Sequence, residues 1–134
     1  MSRIVDGLGR NKLERDLGDY LCGLMALARL RGVVYEPGPL RLAGRTTFRP
    51  DYLVLRAGRK ARAVYLEAKG VMMEDDAAVK TKVAASLFRD RDFYLVRRAG
   101  HGAWFFRPVC PDRGILWHED HAGVWLDPDP ERSV

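Results

Sequence analysis

The sequence predicts a single α/β domain whose mixed central β-sheet is flanked by helices. Three observations carry that expectation: an amphipathic helical stripe near the start, two apolar strand segments around a short polar turn, and a second helix set before two further strands. At 134 residues and 47% hydrophobic content, the chain has enough apolar material for one core and too little length for two. In chain order the core elements read α-β-β-β-α-β-β.

Residues 1–10 are polar and glycine-bearing, with Arg3 and Arg10, and are expected to form a loose basic arm. From Asn11, Leu13, Leu17, Leu21, Leu24 and Ala28 recur at three- and four-residue spacing, the stripe of a helix with one buried face. Asn11 is a good N-cap, Glu14 three residues on completes an Asn-x-x-Glu capping box, and Gly32 is expected to end the helix. Val33 to Tyr35 then reads as a short strand, Pro37-Gly38-Pro39 as a turn and Leu40 to Leu42 as an edge segment. Thr46 to Phe48 leads into Pro50-Asp51. Two central strands follow, Tyr52 to Leu55 and Ala61 to Ala68, each apolar on more than one face, as suits a sheet covered on both sides.

After Gly70 a loop with Met72, Met73 and Glu74 reaches Asp75-Asp76, either of which can cap a helix from Ala77 to Arg89. Val79, Val83, Ala84 and Leu87 form its expected apolar stripe, with Lys80 and Lys82 standing off it. Asp92 to Val96 and Trp104 to Phe106 read as the fourth and fifth strands, joined through the turn Ala99 to Gly102. Beyond Pro111 only Ile115 to Trp117 and Val124 to Leu126 look ordered, so residues 11–111 are taken as the core and 112–134 as an acidic extension. Asp127-Pro128-Asp129-Pro130 can extend neither a helix nor a central strand.

The formal charge of +5 hides an asymmetry: residues 1–111 hold 21 basic and 12 acidic side chains, residues 112–134 hold 2 and 6. Of the 23 basic residues 18 are arginine, whose planar fork suits phosphate, so the body reads as a surface for a polyanion unless biased composition alone explains it. No run of about 18 apolar residues and no signal-peptide centre is found, and a cytoplasmic protein is expected. Cys22 and Cys110 have no Cys-x-x-Cys partner and are expected as buried free thiols. His118-Glu119-Asp120-His121 lacks the spacing of a His-Glu-x-x-His zinc helix and reads as surface. Trp104, Phe105, Phe106, Trp117 and Trp125 can stack on bases, but aromatic strand residues more often fill a core or an interface.

The chemistry concentrates between Thr47 and Gly70. Successive side chains of a strand alternate faces, so Glu67 and Lys69 point the same way. If Asp51 to Leu55 pairs antiparallel with Ala63 to Glu67, Asp51 falls opposite Glu67, and two carboxylates and an ammonium group meet at one point. Each has an ordinary alternative: Asp51 as a turn cap, Glu67 with Lys69 as a solvated ion pair.

Pro50-Asp51 followed by Glu67-Ala68-Lys69 resembles the signature of the PD-(D/E)XK nuclease superfamily. With the upstream helix carrying Glu14, and an acidic loop leading into a basic helix, residues 11–97 resemble phage Holliday-junction resolvases of the endonuclease I type and related small phage endonucleases. The resemblance implies a restriction-endonuclease-like core and a metal-dependent endodeoxyribonuclease. By that likeness Asp51, Glu67 and the backbone carbonyl of Ala68 hold one or two Mg²⁺ or Mn²⁺ ions, with Glu14 as third carboxylate. Lys69 orients the attacking water. Glu14 is already occupied by capping, and Glu36 is a second source of a carboxylate. Arg3, Arg10, Arg45, Arg49, Lys80 and Lys82 are the expected contacts to DNA phosphates. The partner implied is branched DNA, cut by a homodimer; rivals are a flap, mismatch or duplex nuclease and an inactive DNA-binding module. The acidic tail departs from the basic C-terminal region of the resolvases.

Overall fold

Asn11 does what an N-cap should: its side-chain oxygen accepts the Glu14 N–H at 2.8 Å, starting helix α1 (Lys12–Ala26). The computed structural model describes residues 11–58, 62–69, 75–109, 118–120 and 124–126. The basic arm with Arg3 and Arg10, the loop with Met72 to Glu74, Cys110, the segment Ile115 to Trp117 and His121 lie outside the described residues.

Helix α1 buries Leu17, Leu21 and Leu24 as the spacing predicts, but it stops at Ala26, well before Gly32. A Schellman motif ends it: the Ala28 N–H donates to the Met25 carbonyl and the Arg29 N–H to the Leu24 carbonyl. Ala28 takes the left-handed conformation (φ 59°) that glycine normally supplies, so it is a cap residue and not part of the stripe. Burying Leu30 and Val33 in strand β1 (Leu30–Tyr35) draws Gly32 into the sheet instead. Cys22 is half-buried, where full burial was expected.

Strands β2 (Leu40–Ala43) and β3 (Thr46–Phe48) form a separate hairpin. Strands β4 (Tyr52–Arg56) and β5 (Ala63–Ala68) pair antiparallel in the expected register, Tyr52 opposite Leu66 and Leu55 opposite Ala63. Helix α2 (Asp75–Leu87) then carries the chain to β6 (Asp92–Gly100), which lies parallel to β5. A parallel pair cannot be closed by a tight turn, so the helix supplies the crossover. Strands β7 (Ala103–Pro108) and β8 (His118–Asp120) complete a six-stranded mixed sheet of order β1-β4-β5-β6-β7-β8. The molecule is thus α/β, with the expected order of core elements and an added edge strand.

The alternation of β4 and β5 sorts the core into two layers. Tyr52, Val54, Val64 and Leu66 face α1 together with Tyr94, Val96, Trp104 and Phe106; Leu53, Tyr65, Phe93 and Leu95 face α2 with Leu42 and Phe48 from the hairpin. Trp125, in a 3-10 turn at Val124–Leu126, is buried in the α1 layer, with its ring stacked on Phe106 at 4.4 Å. Part of the acidic extension therefore belongs to the core. Trp104, Phe106 and Trp125 are packing residues, and Phe105 lies under the Arg97 guanidinium.

Of the expected stripe of α2 only Ala84 is buried. Thr81, Ala84 and Ala85 are buried, whereas Val79, Val83 and Leu87 are 57%, 39% and 53% exposed. The sheet beneath is already filled by Tyr65, Phe93 and Leu95, and small side chains allow the helix to seat against those rings while the larger ones turn outward. No helix of the described residues is long and apolar enough to cross a membrane.

Candidate active site

Asp51 stands one residue before β4, tied into the sheet from both sides. Its N–H donates to the Leu66 carbonyl (3.1 Å) and its carbonyl accepts from Glu36 (2.8 Å). With Tyr52 opposite Leu66, the same register sets Asp51 opposite Glu67, and directly opposed residues of an antiparallel pair point to one face. The Ala68 N–H donates to Asp51 Oδ2 at 2.7 Å. Lys69 Nζ, buried, makes an ion pair of 3.1 Å with Glu67 Oε2. The three side chains expected at one point therefore meet there.

The electrostatics are those of crowded acids. Burial, then the adjacent Glu67 charge and, more weakly, Glu14 push the Asp51 carboxyl up to about 8 against the opposing Ala68 N–H bond. Glu67 Oε1 is buried without a hydrogen-bond partner. A buried acceptor of this kind carries a desolvation penalty that a bound cation or donor removes.

Glu14 reaches the rim from α1. Its carboxylate, expected to fold back into a capping box, instead accepts the Tyr35 hydroxyl at 3.1 Å, while the Tyr52 hydroxyl donates to the Glu14 carbonyl at 2.7 Å. Glu36 follows β1 in a left-handed conformation (φ 49°), unusual for a residue that is neither glycine nor asparagine. Together with Gly38, Arg49, Pro50 and Asp51 it lines a recess of about 190 Å³ beside the acid pair. Tyr35 and Tyr52 were not singled out from the sequence, because tyrosines in strands read as packing; only their distance from Glu14 in space, not in sequence, marks them.

Arg49 is thus placed at the lip of the site. Arg45 lies exposed at the tip of the β2–β3 hairpin, Lys82 is exposed on α2, and Lys80 is paired with Asp76 at 3.4 Å. Among the described residues none of these three bonds to Glu14, Asp51, Glu67 or Lys69.

Among the described residues no three Asp, Glu, His or Cys side chains converge as a preformed cation cage. One oxygen of each acid is engaged within the protein: Asp51 Oδ2 by the Ala68 N–H, Glu67 Oε2 by Lys69 and Glu14 Oε1 by Tyr35. The donor set nevertheless fits a hard divalent cation, since Asp51 and Glu67 are adjacent oxygen donors and Glu67 Oε1 is buried without a partner. No family model matches the chain, and neither the curated proteins nor the solved structures yield a match.

Proposed function

We propose that this chain is a metal-dependent endodeoxyribonuclease of the PD-(D/E)XK type with a restriction-endonuclease-like core, and specifically a phage-type four-way-junction resolvase acting as a homodimer. The observation that carries the reading is the antiparallel β4–β5 register, which sets Asp51 opposite Glu67 and leaves Lys69 beside them at 3.1 Å. The order α1, β1, β4, β5, α2, β6 supports it, because it follows the element order of the resembling nucleases. The junction-specific part rests on that same likeness and on the arginine-rich body.

Asp51, Glu67 and the Ala68 carbonyl would hold Mg²⁺ or Mn²⁺, with Glu14 serving a second position. Such an ion, when bound, lowers the pKa of water and offsets charge on the phosphoryl oxygens. The chain's own groups do the rest. Lys69, buried and charged, bears on the attacking water and on the negative charge that grows at phosphorus, in a site where low dielectric strengthens its effect. Arg49 at the lip holds a neighbouring phosphate, and β4 and β5 keep the acids from splaying apart. In-line attack of water would leave a 5′-phosphate and a 3′-hydroxyl.

The test is cleavage of a four-way junction and a matched duplex with and without Mg²⁺. The parent should cut the junction only with metal, and Glu67→Ala should lose cutting by about a thousandfold or more while binding DNA within a few-fold of the parent. An intact junction at every Mg²⁺ concentration would remove the proposal.

A further inference from the structure

Glu14 is held more firmly than a helix N-terminus requires. Its N–H is capped by Asn11, its carbonyl accepts from Tyr52, and its carboxylate accepts from Tyr35, so one residue is held by the cap of its own helix and by strands β4 and β1. The two tyrosine rings rest on each other at 5.4 Å, and Tyr52 is fully buried. A phenol hydroxyl donates a single proton. The Tyr35 hydroxyl lies 3.1 Å from Glu14 Oε1, and Glu36 engages the same hydroxyl from the recess side. A carboxylate has two oxygens, and a bond to one of them sets the direction of the other.

We propose that Tyr35 is a positioning residue: its hydroxyl orients the Glu14 carboxylate at the rim of the Asp51–Glu67 pair and thereby sets how strongly the site takes a second divalent cation. The proposal rests on the nuclease reading above. Hydrogen bonds behind a ligand side chain commonly govern metal affinity by about ten- to hundredfold. Tyr35 does so here from a strand that contributes no other ligand.

The experiment is titration of the full chain with Mn²⁺, following free ion by electron paramagnetic resonance, for the parent, Tyr35→Phe, Glu14→Gln and the double variant. Circular dichroism establishes that each variant is folded; Tyr35→Phe keeps the ring against Tyr52. The parent should bind two classes of ion. In Tyr35→Phe the weaker class should lose about tenfold in affinity and the tighter class should not move. The double variant should be no weaker than Glu14→Gln alone, because Tyr35 acts through Glu14. Losses that multiply in the double variant, or a Tyr35→Phe titration matching the parent, overturn the proposal. A parent that binds one ion, unaffected by Glu14→Gln, also overturns it and leaves the nuclease reading standing. A parent that binds no Mn²⁺ overturns both.

Discussion

Asp51 makes the stability of the folded chain depend on pH in the direction opposite to a salt-bridged carboxylate. Unfolded, its carboxyl titrates near 3.8; folded, burial and the Glu67 charge raise it to about 8. Between those values the folded state keeps a proton that the unfolded state has released. Its contribution is therefore full below the unfolded value and is lost as pH rises through the folded one, by at most about 1.4 kcal/mol per pH unit for one proton. Urea unfolding in chelator at about pH 5 and about pH 8 should show the fall, and Asp51→Asn should flatten it. Adding Mg²⁺ at the higher pH should restore stability, since a cation favours the ionised acid.

Helix α1 ends on an alanine where glycine is the usual choice, and the cost can be measured. Ala28→Gly should stabilise the chain by about 0.5–1 kcal/mol, read as a higher urea midpoint with unchanged slope, because the Schellman bonds are retained and the left-handed strain at φ 59° is relieved. This cap also marks where the sequence misleads. A glycine four residues beyond offered the familiar stop signal, but burial of Leu30 and Val33 in β1 decided the boundary. The β4–β5 hairpin was legible to the register, because its apolar alternation and its two-residue spacing of Glu67 and Lys69 are local. The face of α2 was not, since Val79, Val83 and Leu87 have the helical spacing of a core stripe and only the bulk of Tyr65 and Phe93 beneath turns them outward. Glu14 could be read as a carboxylate near the site, whereas its partner Tyr35 could not, as their contact is a property of packing across layers.

At the scale of the whole molecule, Trp125 ties the 3-10 turn Val124–Leu126 to the core. Trp125 lies stacked on Phe106, with Tyr94 edge-on at 5.7 Å, and the Tyr94 hydroxyl donates to the Trp125 carbonyl at 3.0 Å. Trp125→Ala should lower unfolding free energy by about 3–5 kcal/mol in a urea titration, the loss typical of a large aromatic removed from a packed site. The excess of basic residues in the body gives a second expectation: with a footprint of about six phosphates, DNA affinity should fall about a thousandfold between roughly 50 and 200 mM salt. Filter binding or fluorescence anisotropy across that range checks it. Because Asp51 and Glu67 are brought together by the pairing of β4 with β5, strands only six residues apart in sequence, while β5 and β6 must wait for α2 to cross between them, the two acids can find each other early in refolding. Hydrogen-exchange labelling pulses should therefore catch the β4–β5 amides protected before those of β6, so that the acid pair of the site is set before the sheet around it is complete.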